Sequence, residues 1–248
     1  MNTRSPLRTL TLSFLVLVAG LLALAAGIGA ADRSVLFREE FRSLEAWRPV
    51  TFPKIEKHSR YSIETRGGET VLRAESSASA SGLVYRRDFN VYEYPKLRWR
   101  WMIHNVYTRG DTGGKAGDDY PIRIYILFRY DPEKASALER VTYGIARALY
   151  GEYPPQSTLN YVWASREDTP SLFTSPYTGK AKLLALEKGA RFAGQWRDEG
   201  VDILRDYRRA FGTDPPIQAS LGIMNDSDNT GEASVSWVDF IEVYRDGS

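Results

Sequence analysis

Apolar and polar residues alternate along most of this chain. Ile122, Ile124, Ile126 and Phe128 share one parity, while Arg123, Tyr125 and Leu127 point the other way, the period-two pattern of a strand. Leu97, Trp99, Trp101 and Ile103 repeat the pattern with Arg98 and Arg100 opposite, as in an antiparallel strand buried on one face. Shorter runs at Ser34–Phe41, Tyr61–Glu64, Val71–Ala74, Leu83–Phe89, Leu159–Ala164, Lys182–Leu186, Ala219–Met224 and Val235–Tyr244 are bounded by glycine, serine or polar residues and read as further strands. Two stretches carry a helical period instead. Leu138, Val141, Ile145 and Leu149 form an apolar stripe after Asp131-Pro132 and before Gly151, and Val201, Leu204, Tyr207 and Phe211 form another before Gly212. Proline at a helix start and glycine at its end are the expected punctuation. Many strands without regular βαβ alternation predict an all-β fold, an antiparallel jelly-roll-like β-sandwich. Its two helical additions fall near residues 132–150 and 198–211, each stripe packing on the sandwich or covering an open end.

The N-terminus departs from this pattern. Arg4 and Arg8 precede an uncharged run rich in leucine and alanine, and Gly29-Ala30-Ala31 supplies small residues at its exit. This predicts a signal peptide over residues 1–31, cleaved after Ala31, and delivery to the periplasm or the medium. The competing reading is an uncleaved anchor, since residues 9–31 are long enough to span a bilayer; the small-residue exit favours cleavage, with no stable membrane insertion afterwards. No cysteine adjoins the site, which excludes a lipoprotein, and twin arginines are absent. Of 248 residues, removal of 31 leaves 217, the size of a single β-sandwich domain over 32–248. The leader takes away two of the 33 basic residues, so 31 remain against 31 acidic ones. A neutral chain has no basic field to attract nucleic acid or an anionic membrane. With no cysteine anywhere, disulfides, thiol nucleophiles and thiolate metal sites are excluded.

Candidate chemistry lies in polar residues next to strands. The loop before Ile122 carries Asp118 and Asp119, and Arg123 and Tyr125 stand together on the strand that follows. Arg100 has the same relation to Trp99 and Trp101. If both strands turn those faces to one concavity, the two guanidiniums need anions, and Asp118, Asp119, Asp226 and Asp228 are the loop carboxylates available. Trp163 shares parity with Tyr161 and is the best aromatic candidate for a cleft, whereas Trp99 and Trp101 read as core. The run Asp226-Ser227-Asp228-Asn229-Thr230 resembles half of a calcium loop without its closing glutamate, and also an ordinary turn. Both histidines, His58 and His104, lack a neighbouring serine or carboxylate motif, and no G-x-S-x-G elbow is present, so nucleophilic acyl transfer has no support.

Several segments occur together in a fixed order: Ala80-Ser81-Gly82-Leu83, Pro95–Trp101, Lys115–Phe128, Tyr161–Ala164, Asp206-Tyr207-Arg208, Phe211-Gly212 and Asn225–Thr230. In these the chain resembles the bacterial domain-of-unknown-function family numbered 3047, from about Val35 to Arg245. The resemblance implies an exported protein and brings no assigned activity or catalytic residues. The chain departs from the pattern at Asn225, where an acidic or threonine residue is expected. A looser architectural resemblance is to jelly-roll carbohydrate-binding modules, in which the first and last strands adjoin and often share a structural calcium. It would fall here on Glu40 and Asp239. Three functions stay open on the sequence: binding a glycan or other polar small molecule of the envelope, carboxylate-dependent glycan hydrolysis with Asp118 or Asp119 against Asp226 or Asp228, and a non-catalytic structural role in an envelope assembly.

Overall fold

Strand alternation is realised as two stacked sheets. The computed structural model describes residues 33–133, 135–150 and 153–247, and Val35–Arg245 form one compact unit. The strands are β1 (Arg33–Glu39), β2 (Trp47–Val50), β3 (Arg60–Arg66), β4 (Glu69–Ser77), β5 (Ala80–Tyr85), β6 (Phe89–Asn90), β7 (Lys96–Ile103), β8 (Arg123–Phe128), β9 (Ser157–Ala164), β10 (Leu172–Thr174), β11 (Ala181–Lys188), β12 (Arg197–Asp202), β13 (Gln218–Asp226) and β14 (Ala233–Asp246). One sheet runs β12-β7-β14-β4-β3, with β1 also on β14; the other runs β10-β11-β9-β8-β13-β5-β2, with β6 also on β13. The fold is therefore the expected β-sandwich, and its first and last strands adjoin. One pairing differs from the antiparallel expectation: β11 runs parallel to β9, because the short β10 makes the return between them.

The core is where the parities pointed. Leu97, Trp99, Trp101 and Ile103 from one sheet meet Ile122, Ile124, Ile126, Phe128, Leu221 and Ile223 from the other, all fully buried or nearly so. Ring contacts stitch the layers, with Trp99 and Tyr161 centroids 5.5 Å apart and Trp101 and Trp163 6.0 Å apart. Strand β14 needs a more careful reading. A bulge between Val238 and Phe240 makes Asp239 an extra residue opposite β7, so core positions switch from Val238 before it to Ile241 and Val243 after it. Neither single parity of this strand is the core, because a bulge resets the phase of every side chain beyond it.

The helices begin later than expected. The first, α1, is Ala137–Tyr150, with Pro132 in the turn ahead of it. Its start is a capping box. The Glu139 amide donates to Ser136 Oγ at 3.3 Å and the Ser136 amide donates to Glu139 Oε2 at 3.0 Å, which satisfies two free N–H groups reciprocally. Leu138 and Val141 do not pack inward; they are 76% and 61% exposed. Tyr143 is the inward anchor instead, stacked on Tyr130 at 3.9 Å. The side chains of Ile145 and Leu149, and the leader at 1–31, lie outside the described residues. The second helix, α2, is Ile203–Phe211. Residues 198–202, expected as its first turns, belong to β12 on the edge of β7, so Val201 is a strand residue that happens to continue the helical spacing. Asp202 then caps α2 by accepting from the Arg205 amide at 2.9 Å, and Gly212 ends it at φ 72° with its N–H donated to Arg208 O.

Candidate functional site

The outer face of the β8, β9 and β13 strands carries a polar cleft. Because Ile124 and Ile223 face the core, Arg123, Tyr125, Asn160, Met224 and Asp226 stand on the other side of the same sheet. Tyr125 is directly across from Asn160 and Arg123 from Met224. Gly222 opposite Tyr125 keeps this face low, since a Cβ there would come within 3.2 Å of the Tyr125 Cβ. The loops after β2 and β10 wall the cleft with Phe52 and Tyr177, and its volume is about 450 Å³.

Two acidic loops close one end. A 3-10 turn over Lys115–Gly117 folds the chain back so that the Asp111 amide reaches Gly117 O at 2.9 Å. A Cβ on Gly117 would lie 2.5 Å from the Asp111 nitrogen, so only glycine permits the approach that turns Asp118 and Asp119 inward. Asp119 is held by the Thr230 amide at 2.6 Å and the Asn229 side-chain amide at 2.9 Å. Asp226 accepts from Arg123 Nε at 2.9 Å and, in a second bond, from Arg123 Nη2. The same Nη2 also donates to the Asp118 carbonyl at 2.5 Å, while Nη1 is 3.8 Å from the Asp118 carboxylate. Arg123 is only 5% exposed and its guanidinium lies over the Tyr120 ring at 4.4 Å. Tyr177 donates its hydroxyl to Asn229 Oδ1 at 2.8 Å, tying the far wall to the acidic loop.

Not every polar atom here is satisfied. Asp118 Oδ1, Asn160 Oδ1 and the Tyr120 hydroxyl are buried without a hydrogen-bond partner of good geometry; Asp118 and Asn160 line the cleft, and the Tyr120 hydroxyl is the neighbouring donor that lowers the Asp118 carboxyl against its burial. Leaving a buried polar group unpaired costs about 1–3 kcal/mol. Burial pushes the Asp226 carboxyl up to about 7, with Arg123 opposing and Asp119 and Asp118 adding to the rise. Burial likewise raises Asp118 against the pull of Arg123, and raises Asp228 with help from Asp119. The Tyr125 phenol is pushed up to about 12 by burial, again with Arg123 opposing.

These shifts set a pH dependence. A buried carboxyl with a raised pKa keeps its proton in the folded chain after the unfolded chain has lost it, so folding stability falls as pH rises through that window. The window here runs from about 4, the ordinary carboxylate value, to about 7 for Asp226. Asp226 faces Asp118, Asp119, Arg123, Tyr61, Tyr107, Tyr120 and Tyr125. None of the tyrosines ionises in that range, each phenol being held above its ordinary value. Denaturant melts of the Asp118→Asn variant are expected to show greater stability than the parent above this window. The gap should close toward pH 4; a gap of the opposite sign would show that the Asp118 charge is stabilised by its surroundings.

The sequence candidates divide cleanly. Asp118, Asp119, Arg123, Tyr125, Asp226 and Asp228 converge, and the ligand atoms of Asp119, Asp226 and Asp228 lie within 4.8 Å of one another. Arg100 does not join them. It belongs to β7 in the other sheet, where it pairs with Asp239 at 3.3 Å and Asp198 at 3.9 Å. Trp163 is also elsewhere. It is fully buried in the core and donates Nε1 to Gly189 O at 3.0 Å. Glu40 pairs with Arg38 and Arg42, and Asp239 with Arg100; among the described residues neither belongs to a group of three metal-ligating side chains. Asn225 is structural, its amide nitrogen donating to Ala74 O at 3.1 Å and its oxygen accepting from Ser234. Phe52, Asn160 and Tyr177 were not foreseen. Asn160 had a signal, a lone amide between Leu159 and Tyr161; Phe52 and Tyr177 sit in loops that carry no periodicity.

A second, larger depression of about 700 Å³ lies beside β3, β4 and β14, lined by Lys57, His58, Arg60, Glu75 and His104 among others. Its histidines and basic side chains are exposed and it contains none of the unpaired buried side-chain atoms found among the described residues. The smaller cleft is therefore the better-built site.

A two-sheet sandwich with a polar, carboxylate-rich cleft on one outer face is the class of protein these features define. The chain belongs to the family described as protein of unknown function (DUF3047), matched over residues 45–242. No curated protein matches the sequence. Solved structures with similarity to the chain include the family 11 carbohydrate-binding module from Clostridium thermocellum in complex with a mixed-linked tetrasaccharide. It has 11% identity and a TM-score of 0.41, covering 87% of this chain and 96% of that one. Another is the family 30 carbohydrate-binding module of a Clostridium thermocellum cellulosomal cellulase, with 11% identity, a TM-score of 0.39, and coverage of 87% and 94%. The family GH12 endoglucanase 3 of Trichoderma harzianum has 6% identity and a TM-score of 0.38, covering 83% and 100%.

Proposed function

We propose that the mature chain is exported through the leader at residues 1–31 and binds a carbohydrate or another polar envelope ligand in the outer-face cleft without turning it over. The observation that carries this reading is the buried, unpaired Asn160 Oδ1, with Asp118 Oδ1 also short of a well-formed hydrogen bond, in a cleft walled by Tyr177 and Phe52. Unpaired polar groups beside aromatic rings suit a ligand that offers hydroxyls along one edge and an apolar face on the other. Hydrolysis by paired acids wants two carboxyl groups about 5–9 Å apart with a scissile bond between them. Asp226 is locked to Arg123, and Asp119 to Asn229 and Thr230, which leaves Asp118 against Asp228 as the pair a hydrolase would use, so the mass of the recovered ligand separates binding from turnover.

The test is a thermal-shift screen of the mature protein against a glycan panel, followed by calorimetry on the best ligand. A bound ligand raises the melting temperature by mass action. Tyr177→Ala and Asn160→Ala should each weaken binding about tenfold, the effect of losing roughly 1.4 kcal/mol, and the recovered ligand should have unchanged mass. Full affinity in both variants would remove the cleft from the account, and a cleaved ligand would replace binding by hydrolysis.

A further inference from the structure

The charge of the cleft narrows the ligand class, an inference that rests on the binding reading above. Asp118, Asp226 and Asp228 line the cleft and Asp119 stands directly behind, while Arg123 is the one guanidinium set among them. Arg123 spends Nε and Nη2 on Asp226 and the Asp118 carbonyl, and its Nη1 lies 3.8 Å from the Asp118 carboxylate. Lys54, the other cation in the lining, sits on an exposed loop. Among the described residues Asp228 is in no ion pair, and Asp118, only 3% exposed, keeps one carboxylate oxygen without a hydrogen bond. Asp226 and Asp118 thus share one guanidinium and Asp228 has none, an excess of negative charge at one end of a cleft lined largely by amide, hydroxyl and aromatic groups.

We infer that the ligand carries a protonated amine that seats between Asp118 and Asp228, as on an amino sugar whose nitrogen is not acetylated. An ammonium brings donors to the unpaired oxygen and a full charge to the excess of carboxylates. The Tyr177 ring already takes the Lys115 ammonium 5.1 Å from its centroid, and with Phe52 it suits the C–H face of a sugar. Burial holds Asp118 and Asp228 above the ordinary carboxylate range, the direction expected where an incoming cation would relieve the cost of charge. A divalent metal on Asp119, Asp226 and Asp228 fits less well. Asp226 already faces a guanidinium through both oxygens, and a metal there would lie against that positive charge.

The experiment compares three sugar oligomers by calorimetry on the mature protein near neutral pH: glucosamine oligomers with free amines, their N-acetylated form, and glucose oligomers. The free-amine form should bind at least about tenfold tighter than the other two, the typical effect of one charge-assisted hydrogen bond. Its advantage should shrink with added salt and vanish in Asp118→Asn and Asp228→Asn. Both variants are near-isosteric, and Asp118→Asn keeps the backbone carbonyl that Arg123 uses, so circular dichroism should show intact folds. Equal binding of all three sugars would overturn the amine while leaving glycan binding in place. No binding by any of them, or by any member of the wider glycan panel, would remove the underlying reading as well. A melting-temperature rise with calcium chloride alone, lost in Asp228→Asn, would put a metal at the site and overturn the amine assignment.

Discussion

Replacing Arg123 with alanine is expected to lower the unfolding free energy by about 3–5 kcal/mol, the cost of breaking a buried ion pair from one side. In a domain of this size that corresponds to a loss of roughly 6–20 °C in melting temperature. The cause is what the substitution leaves behind. Asp226 is buried, receives two bonds from Arg123, and lies among Asp118 and Asp119; without the guanidinium those acids face one another in a poorly solvated pocket. The parity of Arg123, with its apolar neighbours untouched, would suggest an effect on binding rather than on stability. Its burial and pairing reverse that order. Arg123→Met with Asp226→Leu should recover most of the loss, because replacing both partners by apolar groups leaves no orphaned charge. Denaturant melts of the three proteins decide the matter, and a loss below about 1 kcal/mol for Arg123→Ala would mean the cluster behaves as a solvated surface pair.

Trp163→Ala is expected to cost about 3–5 kcal/mol, in the range for removing a fully buried indole. Trp163 packs against Trp101 across the sandwich and its ring nitrogen is bonded to Gly189 O, so the variant leaves both a cavity and an unpaired carbonyl. Ligand affinity per folded molecule should stay unchanged. Tyr177→Ala should do the reverse, with stability altered by no more than about 0.5 kcal/mol as for an ordinary surface change, and with affinity lost. If Trp163→Ala abolished binding while leaving the melt untouched, the indole would have to face a ligand and not the core.

These two tryptophan and arginine cases show what strand periodicity can and cannot carry. Alternation located Arg123 and Tyr125 on an outer face correctly, because Ile122, Ile124 and Ile126 opposite them are all buried. Arg100 has the same alternation but belongs to the other sheet; parity gives the side of a strand, and only pairing gives the sheet. Around Trp163 alternation has no direction at all. Val162 and Ala164 on the opposite parity are equally buried, packed with Tyr120, Leu183 and Ala185 in a second cluster. At Asp239 the bulge shifts the phase midway along the strand. The meeting of the Asp118–Asp119 and Asp226–Asp228 loops depends on β8 and β13 being neighbours, though they lie about a hundred residues apart in sequence. Their shared chemistry suggested the encounter, and the sheet order accounts for it.

The most direct test of the cleft is a crystal structure of the protein soaked with the sugar that gives the largest melting shift. The sugar is expected between Tyr177 and Phe52, with polar atoms within hydrogen-bond distance of Asp118 and Asn160. Density instead in the groove beside His58 and His104, or on the opposite sheet against Arg100, whose guanidinium lies 5.3 Å from the Trp196 ring centroid, would contradict it.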